Sequence, residues 1–247
     1  MALVNEFEKQ GNFLFRYRGQ FPVLLFLLAV PFLYWTDVTS LSDYSKEIYC
    51  YSAVILSILG FCIRAFTVGT TPKGTSGRNT KEQKAFVLNT KGIYSTVRHP
   101  LYLGNYFMWI GIVVFTYNPY FIVIVSLFYW IYYERIMYAE ERFLERKFRE
   151  EYVTWANGLP AFLPNLKLYK PSIIPFSFKT VLRREYSGVL ASVVGFVFVE
   201  VLRGYFSVGE WFISNGFLFG LVAAVFLALL LRTLKHHTGL LAEEGRS

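Results

Sequence analysis

The sequence predicts an all-α fold, a polytopic membrane bundle of about six transmembrane helices. Three observations carry this. Hydrophobic residues make up 54% of the chain and charged residues only 17%, too apolar for a soluble domain. The apolar residues fall in long runs, without alternating or helical stripes. The basic residues collect in alternate loops, as in a chain threaded through a bilayer.

A hydrocarbon core about 30 Å thick takes roughly 20 residues of helix. The runs that approach this length are 21–35, 48–68, 101–117, 120–133, 188–202 and 211–231. Residues 1–20 are polar and aromatic and read as an interfacial helix. Only Asn118-Pro119 separates the third run from the fourth, so the two must form a tight antiparallel hairpin. Ile136, Met137 and Tyr138 extend the fourth run. Beyond it, Glu140, Leu144, Phe148 and Tyr152 recur at every fourth position, with Trp155 one turn further on. This is an amphipathic helix whose apolar stripe is headed by a carboxylate. It continues the fourth span and stops at Gly158, Pro160 and Pro164. Arg142, Arg146 and Arg149 lie on its other side and suit anionic lipid headgroups. The sequence holds no repeat or linker, so residues 1–247 read as a single integral membrane domain with an extra C-terminal helical pair at about 187–234.

A net charge of +8 would fit nucleic acid, but the basic residues follow the membrane pattern instead. Lys9, Arg16 and Arg18 precede the first run. Arg64, Lys73, Arg78, Lys81, Lys84, Lys91 and Arg98 are assigned to the connection between the second and third, and ten more fall from Arg135 to Arg184. Arg232, Lys235 and Arg246 follow the last run, whereas the opposite loops hold only Lys46 and Arg203. Both termini are therefore placed in the cytoplasm, and nucleic acid is excluded as a partner. Cys50 and Cys62 share one apolar run and read as small apolar residues, with no disulfide and no metal site. His236-His237 lacks a companion ligand, and no cleavable signal peptide is evident.

The chemistry concentrates in Gly92-Ile-Tyr94-Ser-Thr-Val-Arg98-His99-Pro100-Leu-Tyr102-Leu-Gly104, where a basic loop becomes an apolar helix. Proline is favoured in a first helical turn, so the helix starts near Pro100. Arg98 and His99 then stand at its N-terminus, where free N–H groups and the helix dipole attract anions. Arginine adds a fork suited to carboxylate or phosphate. Gly104 and Gly111 share a face, which serves close helix packing or the approach of a ligand to the backbone. Glu140 and Glu141 point about 100° apart on a helix, so one faces a cavity and the other solvent. Glu200 and Arg203 read as an interfacial ion pair. The segment from Gly69 to Gly77 looks like a phosphate loop, but Thr75 stands where that motif needs lysine.

The pattern at 92–104, followed by Glu-Glu-x-x-Leu at 140–144 and Glu-Glu-Tyr at 150–152, resembles the isoprenylcysteine carboxyl methyltransferase and phospholipid methyltransferase superfamily. Phe66-Thr-Val-Gly69 and Leu88-Asn-Thr-Lys-Gly92 extend the likeness to residues 60–166, within a methyltransferase core of about 48–166. The resemblance implies an integral membrane enzyme that uses S-adenosylmethionine to methylate a lipid or lipid-linked acceptor. It implies that Leu88, Tyr94, Arg98, His99, Tyr102, Gly104, Glu140 and Glu141 line the cofactor site, with Leu88 near the adenine. Arg98 and Glu141 are the expected catalytic pair. Methyl transfer is an in-line displacement that needs alignment and exclusion of water, so no residue is expected as a covalent nucleophile.

The carboxyl methyltransferases carry arginines just before the Glu pair, where this chain has Tyr132-Tyr133-Glu134-Arg135-Ile136. That disfavours a prenylated-cysteine carboxylate. Lys73 and the run Thr75-Ser-Gly-Arg78-Asn-Thr-Lys81 offer donors for a larger anion, as in the bacterial lipid A phosphate methyltransferases of the same superfamily. Arg78 and Arg135 are the expected substrate contacts, and a bacterial cytoplasmic membrane is favoured over endoplasmic reticulum. Two other readings stay open: an NADPH-dependent sterol-type reductase with a related bundle, and a non-enzymatic membrane scaffold.

Overall fold

The computed structural model describes residues 2–73, 83 and 85–246, with backbone alone at Phe21 and Pro22. Its regular structure is helical: α1 (Leu3–Tyr17), α2 (Phe21–Trp35), α3 (Asp43–Gly69), α4 (Pro100–Val114), α5 (Pro119–Phe148), α6 (Glu150–Asn157), α7 (Phe178–Val208) and α8 (Asn215–His237). Four of these, α3, α5, α7 and α8, are long and apolar enough to cross a membrane. Of the six expected spans, four are met by helices of that length, and the other two apolar runs form shorter helices. α2 and α4 are apolar but hold 15 residues each. That is about 22 Å of helix, less than the hydrocarbon thickness. The third apolar run continues to Tyr117, but α4 ends at Val114 and the rest forms a turn, with Tyr117 at φ 64°.

Local sequence sets the ends. Ser42, Asn118 and Ser177 cap α3, α5 and α7, each side chain accepting a hydrogen bond from a first-turn N–H, as N-cap residues do. Pro119 follows its cap at a position where a missing N–H costs nothing. Gly209 ends α7 in the left-handed region at φ 76°. The fourth span does run on as the amphipathic helix, but with a break: Arg149, at φ 49°, separates α5 from α6 while the stripe passes across it.

Packing follows residue size. α3 lies along α4, α1 along α5 and α7 along α8, and α3 also meets α7. Gly60 faces Gly104 across the α3–α4 contact, and the Ser57 hydroxyl donates to the Met108 carbonyl at 3.0 Å. Small residues let membrane helices approach this closely. α1 is fastened to α5 by Arg135 over the Phe7 ring at 3.5 Å and by the Tyr132 hydroxyl, which donates to the Leu14 carbonyl at 3.1 Å. Buried aromatics fill the centre, among them Phe115, Phe121 and a Tyr129–Tyr133 stack at 4.2 Å. Glu200 and Arg203 do not form the expected ion pair. Glu200 accepts from the Ser214 hydroxyl at 2.8 Å, and Arg203 donates to the Phe115 carbonyl at 2.6 Å. Capping a neighbouring chain end satisfies each better than a pairing one helical turn apart.

The C-terminal tail returns to the bundle. Arg246, 8% exposed, donates to the Gly69 carbonyl at 2.6 Å and to the Pro175 carbonyl. Glu243 accepts from the Ser177 hydroxyl, and the Lys73 N–H donates to the Gly245 carbonyl at 3.0 Å. Arg246 thus satisfies a carbonyl at the C-terminal end of α3 that the helix leaves unpaired. Arg246→Ala is expected to destabilise the protein by about 1.5–3 kcal/mol, read as a lowered thermal unfolding midpoint in detergent. An unchanged midpoint would mean the tail is not part of the folded unit.

Candidate active site

Two distant segments are stitched together before any site exists. Gly92 adopts φ 62° and ψ −138°, a conformation open to glycine, and bridges to Lys170, with its N–H donating to the Lys170 carbonyl at 2.9 Å. The N–H groups of Arg98 and His99 donate to the carbonyls of Pro160 and Ala161 at 3.0 and 3.2 Å. Proline lacks a donor but keeps its acceptor, so Pro160, just past the end of the amphipathic helix, holds Arg98 while Ala161 holds His99. His99 is the N-cap of α4 and Pro100 its first residue, as the sequence leads one to expect.

Beside this seam lies a cavity of about 380 Å³, within the range of small-molecule sites. Leu88, Tyr94, Arg98, His99, Tyr102 and Glu140 all line it. Glu141 stands behind them, 26% exposed at its side chain. Its Oε1 accepts from Arg98 Nε at 2.8 Å and lies 2.8 Å from His99 Nε2. Glu140 Oε2 is 3.7 Å from the other ring nitrogen of His99. The adjacent carboxylates therefore divide: Glu140 faces the cavity and Glu141 braces the groups that do.

Arg98 is more committed than a free anion fork. Its Nη1 donates to the carbonyls of Ala156 and Leu159, both at 2.8 Å, at the C-terminal end of α6. That leaves Nη2 without a protein partner among the described residues. Tyr94 and Tyr152 complete this wall, and Trp155 Nε1 donates to the Tyr94 carbonyl at 3.2 Å. Burial pushes the Tyr94 phenol far above its ordinary range, with the Glu140 charge adding to the effect. Burial does the same to Tyr152, reinforced by Glu141. Both stay protonated and able to donate. The buried Tyr152 hydroxyl has no hydrogen-bond partner among the described residues.

Two expected site residues are placed differently. Gly104 is not in the cavity wall. It faces α3, where a Cβ would sit 2.5 Å from Arg64 Cγ and 2.9 Å from the Gly60 carbonyl oxygen. The glycine admits a neighbouring side chain, where the motif implied a cofactor. Arg135 also lies away from the cavity, over Phe7 and 2.9 Å from Glu134. Arg78 lies outside the described residues.

The cavity also has a wall that the motifs do not announce. Arg64 Nε and Nη2 donate to Glu185 at 2.7 and 2.9 Å, and Nη1 donates to Asn105 Oδ1 at 2.5 Å. Arg64, Asn105, Arg184 and Glu185 all line the cavity, and Glu185 is 2% exposed. One signal was available. Arg64 sits inside the second apolar run, and an intramembrane charge is a functional candidate with a partner to be found.

A helical membrane bundle with a polar cavity walled by an Arg-His pair and a Glu pair defines a class of integral membrane proteins. Residues 50–151 match the family described as phospholipid methyltransferase, the superfamily that the motifs resemble. The protein-S-isoprenylcysteine O-methyltransferase of Saccharomyces cerevisiae is 32% identical over 111 residues, 44% of this chain and 46% of the relative. That of Tribolium castaneum is 28% identical over 131 residues, 51% and 46%. A cobalt-zinc-cadmium resistance protein of Cupriavidus metallidurans is 34% identical over 88 residues, 36% and 40%. The chain thus spans under half the length of each of these relatives. No solved structure matches it.

Proposed function

We propose that this chain is a membrane methyltransferase that uses S-adenosylmethionine to methylate an anionic oxygen, phosphate or carboxylate, on a lipid or lipid-linked acceptor. One observation carries the reading: Arg98, His99 and the Glu pair, 42 residues away in sequence, meet at one cavity within the segment that matches the family. The residues present fit the cofactor. The unpartnered Tyr152 hydroxyl and Arg98 Nη2 are donors for its carboxylate or ribose. Glu140 is a counter-charge for its cationic groups, and Tyr94, Trp155 and Leu88 offer aromatic and apolar surface for the adenine and the methyl-sulfonium centre.

The bound cofactor supplies an electrophilic methyl group on a cationic sulfur. The chain's own task is to orient the two reactants and keep water out. An anionic oxygen needs no proton removed, so neither His99 nor a glutamate has to act as base. Glu141 works through Arg98 and His99 as a positioning residue, while Glu140 and Arg98 touch the ligand. In this reading residues 1–247 form one domain, both termini face the cytoplasm, and the membrane is a bacterial cytoplasmic one. The clustering of basic residues at one end of the helices supports that orientation.

Calorimetric titration of S-adenosylhomocysteine into detergent-purified protein tests the reading. Micromolar binding is expected, weakened about tenfold or more in Glu140→Gln, the size of one lost charged hydrogen bond. NADPH binding by well-folded protein that ignores S-adenosylhomocysteine would overturn the proposal in favour of a reductase.

A further inference from the structure

α7 lies wholly outside the segment that matches the family, yet its Glu185 is tied to the helix that the Arg-His pair heads. The Arg64 side chain leaves α3, passes α4 at Gly104 and donates to both Glu185 oxygens and to Asn105 Oδ1. A buried ion pair adds little stability over apolar packing, so its presence asks for another reason. The contact with Asn105 supplies one. Arginine carries donors only, so the Asn105 carboxamide must turn its oxygen to Arg64 and its NH2 group the other way.

The hydrogen bonds beyond Asn105 agree with that orientation. The Tyr129 hydroxyl donates its single proton to the Tyr102 carbonyl at 2.6 Å. Tyr129 can then only accept from Tyr133, its hydrogen-bonded neighbour in the 4.2 Å ring stack. Tyr133, having given its proton, can only accept from Asn105, to which it is also hydrogen-bonded. One assignment therefore gives every contact a proton: Arg64 to Asn105, Asn105 to Tyr133, Tyr133 to Tyr129, and Tyr129 to the Tyr102 carbonyl. The amide nitrogen carries two hydrogens and Tyr133 takes one. The other is left for the cavity that Arg64, Asn105, Tyr133 and Glu185 all line. Asn105 lies on α4 about 7.5 Å deeper along the axis than Pro100. Tyr102, whose ring is 4.8 Å from that of Tyr133, is hydrogen-bonded through its hydroxyl to Glu140. An amide donor and a carboxylate thus flank one ring pair and face one space.

We propose that Asn105 is a ligand-binding residue at the floor of the cavity, and that Glu185, acting through Arg64, is the positioning residue that keeps its N–H turned inward. The floor is then a neutral hydrogen-bond donor. It takes a lone-pair atom and gains nothing from an ammonium or a sulfonium. In the methyltransferase reading, on which this rests, the ligand is the methyl donor, and the accepting atom lies on its nucleoside or its carboxylate. α7, outside the family segment, thereby becomes part of the methyl-donor site.

Calorimetry with two probes and two variants tests this. Asn105→Asp keeps the size and an oxygen for Arg64 but puts a second oxygen where the N–H was. S-adenosylhomocysteine affinity should fall about tenfold or more. 5′-Methylthioadenosine, which lacks the amino-acid carboxylate, separates the two ends of the ligand. An equal fall with both probes assigns the contact to the nucleoside, and a fall with S-adenosylhomocysteine alone assigns it to the carboxylate. Unchanged or tighter S-adenosylhomocysteine binding by Asn105→Asp would overturn the proposal, tighter binding marking a cation at the floor. The double variant Arg64→Met/Glu185→Met guards against a folding defect, because apolar groups of similar size in place of a whole buried pair leave stability unchanged or raised. Its unfolding midpoint should be at or above that of wild type, while S-adenosylhomocysteine affinity falls about three- to tenfold because the carboxamide is free to turn. Affinity equal to wild type, or a loss of affinity only in step with a lowered midpoint, would overturn the positioning role. Failure of wild type to bind S-adenosylhomocysteine at all would instead sink the methyltransferase reading.

Discussion

Arg98→Ala is expected to weaken S-adenosylhomocysteine binding by at least about tenfold and to lower the unfolding midpoint in the same protein. The two losses come from one side chain with two duties. Nε and Nη1 are spent on Glu141 and on the Ala156 and Leu159 carbonyls. They pin the end of α6, and with it Tyr152 and Trp155, against the start of α4. Each charge-assisted bond lost costs about 1.5–3 kcal/mol when its partner is left without an alternative. Two such losses correspond to about ten- to 150-fold in affinity if half the cost falls on the ligand site. Glu141→Gln is the informative comparison. The amide keeps the shape and an acceptor oxygen but not the charge, so Arg98 and His99 are held less firmly in an otherwise intact wall. About a tenfold loss of binding is expected there, with a smaller drop in midpoint. Full binding by Arg98→Ala beside lost binding by Glu140→Gln would reduce Arg98 to a strut and leave Glu140 as the ligand contact.

Much of this arrangement is legible in the sequence because it is local. The α4 start at Pro100, the hairpin at Asn118-Pro119 and the stripe from Glu140 to Tyr152 each depend on residues within a turn or two of one another. The features that escape depend on tertiary partners. Hydropathy counts turn residues as part of a run, so α4 reads longer than it is until the reversed backbone at Tyr117 is seen. Charge patterning assigns Arg64 to a loop because it weighs sign and order, and it cannot see Glu185 across the bundle. Glu185 belongs to no motif, and its depth follows from α7 beginning at Phe178, ten residues before the apolar run of that span. Arg135 looks available in the sequence because Phe7 covers it only when α1 docks.

Gly104 is where the two kinds of reading make opposite predictions, and Gly104→Ala decides between them. The motif implies that the glycine admits the cofactor, in which case the methyl group would cost binding and little else. The packing implies that it admits Arg64. A Cβ there would stand 2.5 Å from Arg64 Cγ and 2.9 Å from the Gly60 carbonyl oxygen. The side chain can yield, but the backbone of α3 can do so only by moving the helix. Overpacking of this kind costs about 1–3 kcal/mol, so a lowered unfolding midpoint is expected, with S-adenosylhomocysteine affinity changed by less than about threefold. Gly220→Ala supplies the control of opposite sign. That position in α8 has nothing within 4 Å of the added carbon, and alanine for glycine inside a helix is stabilising by about 0.5–1 kcal/mol. A Gly104→Ala protein as stable as wild type but unable to bind would return the glycine to the cofactor. A destabilised protein that still binds would make the motif glycine a helix-packing residue, there to let an arginine cross between two helices and reach a third.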